Sequence, residues 1–189
     1  MNLDGWIGKT ESIADTVTAA PMAALSATLD RDDIPPQAGD VVPLLWHWLY
    51  CQPAARQSAL GADGHVRLGG FLPPVPLPRR MYAGGRVEVR RPLRVGDAIT
   101  RLSRIERITQ KEGRSGMLVF VTVRHEISNA DGLALVEDHD IVYRAAGSEG
   151  GLHAVPERPA PDDPSWVREI RHGDRNSGRA FRRRCRAPA

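Results

Sequence analysis

The chain has 189 residues, of which 41% are hydrophobic and 26% charged, so it can bury the core of one domain and does not have the composition of a disordered chain. Its net charge of +3 comes from residues 167–189, which hold eight arginines and two acids; without them the 26 basic and 23 acidic residues become 18 and 21, a net of −3. That segment has a single aromatic residue, Phe181, which argues against a nucleic-acid surface, and no apolar run reaches the roughly 20 residues that span a bilayer.

The N-terminal sequence and the cysteines indicate the compartment. No basic segment followed by an apolar one is present at the N-terminus, so we expect no signal peptide. Cys51 and Cys185 lie far apart in the sequence and lack the spacing of metal ligands. We therefore expect a reduced, cytoplasmic protein that binds no metal and has neither a membrane nor a nucleic acid as its partner.

Residues 10–30 are predicted to be helical in two pieces. Thr18 suits the N-cap of the second piece, and Pro21 is tolerated in its first turn because the missing N–H needs no partner there. Met22, Leu25 and Leu29 then share one face, and most other positions are alanine. The pattern predicts a thin helix around which a sheet can wrap closely.

The next 50 residues have less regular patterns. The stretch LLWHWLYC at 44–51 alternates large side chains between two sides, which predicts a short strand with an aromatic face. Residues 52–84 are rich in proline and glycine. A loop of that length in a compact domain is usually functional or covers another part of the protein.

From residue 84 onward the sequence predicts an antiparallel meander. Its four predicted strands are GGRVEVRRP, AITRLSRIERIT, MLVFVTVRHEI and LALVEDHDIVYR, and the polar stretches QKEGRSG and SNADG are the predicted turns between the last three. A helix followed by a long loop and a meander predicts an α+β fold with a sheet packed on one helix.

Four strings in this chain carry a resemblance to a known family. They are GGFLPPVPLPRRMYAGG, PLRVGD, GRSGMLVFVTVRHE and EDHDIVYR, and they resemble the MaoC-like hydroxyacyl-thioester dehydratases. Over roughly residues 5–170 the chain is similar to the N-terminal half of proteins of the mesaconyl-CoA hydratase group. The resemblance implies the hot-dog fold, an antiparallel sheet wrapped around a central helix. It also implies an acyl-CoA substrate and the addition or removal of water across an α,β double bond.

The resemblance and the linker-like composition after Arg144 together divide the chain. We expect a single hot-dog domain at 1–146, a linker at 147–166 and an irregular, arginine-rich tail at 167–189. In the family, an Asp and a His from a second hot-dog half carry the proton transfers. The stretch HGDRNSG has Asp174 and Asn176 in a similar pattern but lacks the histidine that follows, so the usual catalytic half is expected to be missing.

The cluster EDHD at 137–140 supplies the candidate catalytic residues. Period-two geometry puts Glu137 and His139 on one face of the strand, and Asp138 and Asp140 on the other. Glu137 and His139 can serve in acid–base catalysis, or else pair on a solvated face or an interface. The same alternatives hold for His125.

Five further residues are candidates for substrate binding. Arg79 and Arg80 follow a proline-stiffened turn and suit CoA phosphates or a substrate carboxylate; the alternative is surface or dimer salt bridges. Trp46, Trp48 and Tyr82 can line an acyl pocket or belong to the core. Between the two tryptophans, His47 is either a packed, hydrogen-bonded histidine or a proton carrier. The proline-rich loop is expected to shape the mouth of a substrate tunnel.

The hypothesis from sequence is an acyl-CoA hydratase or dehydratase acting on a mesaconyl-like, branched dicarboxylic thioester. It needs no cofactor beyond the CoA of its substrate. Two alternatives stay open: a non-catalytic acyl-CoA-binding half that needs a catalytic partner, and a hot-dog thioesterase. The thioesterase would need a carboxylate from the central helix, where only Asp15 and Asp30 lie near the ends. An exposed sheet edge would favour a homodimer or a partner hot-dog subunit.

Overall fold

The computed structural model describes residues 2–113 and 116–145. The linker and the arginine-rich tail expected from the sequence, with Asp174 and Asn176, lie outside the described residues. Within those residues the regular elements are one α-helix, five strands and three short 3₁₀ helices. They are α1 Ala19–Thr28; β1 Thr10–Thr16, β2 Arg79–Val89, β3 Ala98–Gly113, β4 Gly116–Asn129 and β5 Gly132–Arg144; and the 3₁₀ helices Asp4–Trp6, Trp46–Leu49 and Gln57–Ala59.

The strands form a single antiparallel sheet in the order β1-β3-β4-β5-β2. The two central hairpins follow the predicted meander, although β3 and β4 extend into the predicted QKEGRSG turn, as far as Gly113 and Gly116. Gly132 begins β5 at φ +104°, a left-handed conformation that favours glycine and lets the chain reverse within two residues after Asn129.

Helix α1 lies against the core face of the sheet. Thr18 is its N-cap residue in an extended conformation, and Pro21 falls in the first turn as predicted. Met22 is buried and packs in one cluster with Ile99 and Leu135 of the sheet. The predicted face is only partly right, because Met22 and Ser26 are the buried residues of the helix whereas Leu29 is exposed. The predicted α+β arrangement of a sheet on one thin helix is confirmed.

Two predicted elements are wrong. Residues 10–16 form strand β1 rather than a helix, because they pair along their whole length with residues 98–104 of β3. Residues 44–51 are not a strand: Leu45 and Cys51 have φ of +69° and +55°, which breaks the extended chain at both sides of the 3₁₀ helix Trp46–Leu49. Its large side chains therefore point in several directions rather than to two faces.

The core has two parts along the sheet. The helix-side core gathers around Met22, and the loop-side core is built on Val119, Val121 and Tyr143. The proline-rich loop covers the second part, because Pro73 and Val75 are buried there and Phe71, Leu72 and Leu77 pack against it. That loop therefore shields the loop-side core from solvent.

Candidate functional site

A row of polar residues crosses the core face of the sheet between the two apolar cores. Ser103 of β3 pairs directly with His125 of β4, which pairs directly with Glu137 of β5. Directly paired residues of antiparallel strands project from the same face. Ser103 is 1% exposed and Glu137 is 6% exposed. We call these three residues the polar row; because burial of polar groups is costly unless they are hydrogen-bonded, each needs a partner.

Glu137 finds its partners on the 3₁₀ helix Trp46–Leu49. The Trp48 indole N–H lies 3.0 and 3.1 Å from the two carboxylate oxygens, and His47 Nε2 lies 3.2 Å from Oε2. Burial alone would raise the pKa of Glu137, but hydrogen bonds from His47 and Trp48 outweigh it and hold that pKa below its ordinary value. The carboxylate is therefore ionised at neutral pH and accepts both bonds, so the His47 proton sits on Nε2.

His47 connects this carboxylate to a cavity. The imidazole is buried, and it also lines a cavity of about 270 Å³ whose other walls include Leu45, Val89, Leu93 and Leu135. A carboxylate that fixes one ring nitrogen leaves the other, Nδ1, free to accept a proton. The pair His47–Glu137 thus has the arrangement of an oriented general base next to an apolar chamber.

His125 completes the polar row in its neutral form. Its Nδ1 lies 2.8 Å from the Ser103 hydroxyl oxygen. Burial, reinforced by the positive charge of Arg101 and opposed by Glu137, lowers the pKa of His125 to about 4. A fully solvated position does not fit His125, because its side chain is half-buried on the core face; the interface alternative stays a prediction.

His139 follows Glu137 on the same face, as the alternation predicts. Its ring centroid is 6.1 Å from that of His125 and 5.4 Å from that of Tyr82. Burial lowers the pKa of His139, while Glu137 and Asp140 oppose the shift. Two of the predicted catalytic residues and one predicted substrate residue therefore lie near the polar row.

Of the other four predicted substrate-binding residues, only Trp48 contacts the polar row. Trp48 hydrogen-bonds Glu137, but Trp46 lines a separate cavity of about 510 Å³ beside α1. Arg79 and Arg80 are not in a loop, since they begin β2 and pair with Arg144 and Tyr143. Arg80 forms an ion pair with Asp63 at 3.1 Å, and Arg79 is exposed. Both stand at the opposite end of β2 from Val87, the residue that pairs with Glu137.

Two residues near the site, Ser103 and Arg101, were not predicted. His47 is buried and hydrogen-bonded, as one of its two predicted alternatives has it, although its partner lies 90 residues away in the chain; its role as a proton carrier stays a proposal. The alternation of β3 puts Arg101 and Ser103 on the same face as Ile99 and Ile105, a signal that polar groups interrupt the apolar side of the strand. Among the described residues, no group of three or more His, Cys, Asp or Glu is placed to hold a metal ion.

Comparison with known proteins places this geometry in context. Residues 45–176 match the family described as hydroxyacyl-thioester dehydratase type 2. Mesaconyl-C(4)-CoA hydratase of Chloroflexus aurantiacus is 48% identical over 143 residues, which are 76% of this chain and 51% of that protein. The chain thus spans about half the length of this curated relative.

A solved structure supports the fold. The ChsH1-ChsH2 complex of Mycobacterium tuberculosis aligns with a TM-score of 0.54 at 15% identity, covering 75% of this chain and 86% of that one. At that identity the likeness concerns the fold alone, and the five-stranded sheet around α1 is a hot-dog fold. Within the described ranges, no helix combines the length and apolar character needed to cross a membrane.

Proposed function

Because the chain belongs to the hydroxyacyl-thioester dehydratase type 2 family, we propose that it acts in the reversible addition of water to an enoyl-CoA with a mesaconyl-like acyl group. The observation that carries the proposal is the 48% identity to mesaconyl-C(4)-CoA hydratase over 143 residues. The pair His47–Glu137 supports it, because His47 lines an apolar cavity and Glu137 of the polar row holds its ring. The CoA of the substrate is the only cofactor that the proposed reaction needs.

The proposed reaction requires two proton transfers. A base removes a proton from the attacking water, and an acid delivers a proton to the α-carbon. In this proposal His47, which lines the cavity, is the base, and its Nδ1 takes the proton. Glu137 positions it, since both oxygens of that carboxylate already accept hydrogen bonds from Trp48 and His47. His139, in contact with Tyr82, is the candidate for the second transfer, for which it must first take up a proton because burial lowers its pKa.

A second candidate function is a substrate-holding half that works with a separate catalytic hot-dog domain. Both Glu137 oxygens accept hydrogen bonds from Trp48. This favours the second candidate, because a carboxylate whose oxygens are already bonded is not free to remove a proton from water. The thioesterase alternative has no such support, since α1 carries no acidic residue and Asp15 lies in β1.

Strand β2 is the proposed pairing edge for a second copy of this chain. Both β1 and β2 are edge strands, but they differ in exposed character. Tyr82 and Met81 of β2 are 61% and 48% exposed, whereas the exposed positions of β1 are threonine, serine, alanine and aspartate. Unpaired apolar edges invite strand pairing. Light scattering after size exclusion should give twice the chain mass of 20.7 kDa, and a clean monomer would contradict this edge pairing.

The experiment for the proposed function is a paired activity and binding assay. Hydration of mesaconyl-C(4)-CoA and crotonyl-CoA is followed as loss of enoyl-thioester absorbance, and binding of both by calorimetry. Turnover supports the hydratase. Binding without turnover supports the substrate-holding half, and absence of both overturns the two candidates. We also propose a cytoplasmic location, which cell fractionation tests.

A further inference from the structure

Among the described residues, Arg101 on the core face of the sheet forms no ion pair. It stands in β3 opposite Ile13 of β1 and Ile127 of β4, two residues before Ser103 of the polar row. Its side chain is half-buried, and its Nε is fully buried without a hydrogen-bond partner. Within residues 2–113 and 116–145, no carboxylate lies within ion-pair distance of its guanidinium. A half-buried guanidinium whose Nε is shielded from water without a hydrogen-bond partner costs stability rather than adding to it.

Other arginines of the sheet show what a paired one looks like. Arg86 and Arg124 both bind Asp138 on the outer face, and Arg104 lies 3.2 Å from Glu106. Those arginines have carboxylates from the chain itself. Arg101 is on the opposite face of β3 from Arg104, so the distinction follows the two faces of one strand.

Asp15 of β1, on the same face of the sheet as Arg101, is already engaged. Asp15 shares with Arg101 an electrostatic influence on Cys51. However, Asp15 accepts the backbone N–H of Cys51 on Oδ2 and that of Thr16 on Oδ1, each at 2.7 Å. The guanidinium therefore keeps its capacity for an external anion. Its field acts on the site itself, since it helps to keep His125 neutral.

We propose that Arg101 binds the free carboxylate of a dicarboxylic acyl group and thereby selects dicarboxylic over monocarboxylic enoyl-CoA thioesters. This inference rests on the proposed function and deepens it. A mesaconyl-C(4) thioester has a carboxylate on the far side of its double bond, and a guanidinium is well suited to bind it through two parallel hydrogen bonds. Two residues along a strand span about 7 Å, so a four-carbon acyl chain held at Arg101 lies beside the polar row.

The test removes the charge from the protein and from the ligand in turn. Dissociation constants are measured by calorimetry for mesaconyl-C(4)-CoA, its methyl ester at the free carboxyl and crotonyl-CoA, with wild-type protein, Arg101→Met and Arg101→Lys. Arg104→Met on the outer face of the same strand is the matched control. We expect Arg101→Met to weaken binding of the free acid about 10- to 100-fold, and binding of the ester and of crotonyl-CoA less than about 3-fold.

The cycle separates the possible failures. In wild-type protein, esterification of the ligand should weaken binding as much as Arg101→Met does, and the two changes together should add little. This ligand arm needs no variant, so it stands even if a substitution disturbs folding. Equal affinity of wild-type protein for the acid and the ester would overturn the role of Arg101 and leave the proposed function in place. A wild-type protein that binds none of the thioesters would overturn both.

Discussion

Glu137 and Asp138 are neighbours in β5, and both carboxylates are buried, at 6% and 8% exposure, but on opposite faces of the sheet. Asp138 binds the guanidinium groups of Arg86 and Arg124 at 3.1 and 2.8 Å. Glu137 binds the ring N–H groups of His47 and Trp48. The outer pair consists of groups whose charges are fixed at physiological pH, whereas the inner pair contains an imidazole that can gain or lose a proton.

This difference suggests different roles for the two clusters. The outer cluster around Asp138 stabilises the sheet, whereas the inner cluster around Glu137 contains a group that can transfer a proton. Hydrogen bonds from Arg124 lower the pKa of Asp138 despite its burial, and its two partners are arginines, which stay charged at neutral pH. On the inner face, His47 borders a cavity and His125 is held neutral. Two acidic residues that are adjacent in the sequence therefore have different roles because the strand alternates.

The largest expected effect is on stability, from Glu137→Ala. The change leaves the ring N–H groups of buried His47 and of half-exposed Trp48 without their acceptor, and breaking a buried pair such as His47–Glu137 costs about 3 kcal/mol. Urea unfolding followed by circular dichroism measures the loss. A loss below about 1 kcal/mol would show that water solvates the inner cluster, so that Glu137 and Asp138 would not differ in their environment.

The pH dependence of stability should reveal the neutral His125. Its pKa is about 4 in the folded chain against 6.5 ordinarily, so between these values the unfolded chain binds more protons. Stability is then complete above pH 6.5 and falls by up to about 3 kcal/mol as the pH decreases to 4. Urea unfolding between pH 4 and 7 gives the free energy of unfolding at each pH. Its slope against pH should be flatter for His125→Gln than for wild type, and unchanged for His65→Gln, an exposed control. Equal slopes for both variants would contradict the burial of His125.

Asp138→Ala should have the smallest effect, about 1 kcal/mol. Its partners Arg86 and Arg124 have side chains 81% and 40% exposed, so water can solvate them once the carboxylate is gone. The same urea unfolding, compared directly with Glu137→Ala, checks it. A loss as large as that of Glu137→Ala would mean that the two faces do not differ.

Parts of this structure could be predicted from sequence because they depend on local patterns. The polar turns and alternating strands at 98–144 predict the meander, and the same alternation separates Glu137 from Asp138. Strand β1 could not be predicted, because TESIADT has little strand character and is fixed by its pairing with β3. The same limit applies to the 3₁₀ helix Trp46–Leu49, whose orientation depends on the positive φ of Leu45 and on a contact with Glu137.

The candidate site could not be predicted without knowing the register of the sheet. Ser103, His125 and Glu137 are separated by more than ten residues at each step and become one row only through strand pairing. The prediction of Arg79 and Arg80 as loop residues failed for a related reason, since pairing with Arg144 and Tyr143 extends β2 to include them. Their predicted role in binding substrate, like that of Trp46, stays a prediction.

The central claim is that proton transfer takes place on the core face of the sheet, at His47. Its most direct test is the rate of mesaconyl-C(4)-CoA hydration by wild-type protein, His47→Gln and Asp138→Asn. A positioned general base contributes on the order of 10²-fold or more, so His47→Gln should lower kcat by about that factor while thioester binding changes less than about 3-fold. Asp138→Asn should stay close to the wild-type rate. Equal rates for wild type and His47→Gln, or a larger loss from Asp138→Asn, would contradict the account.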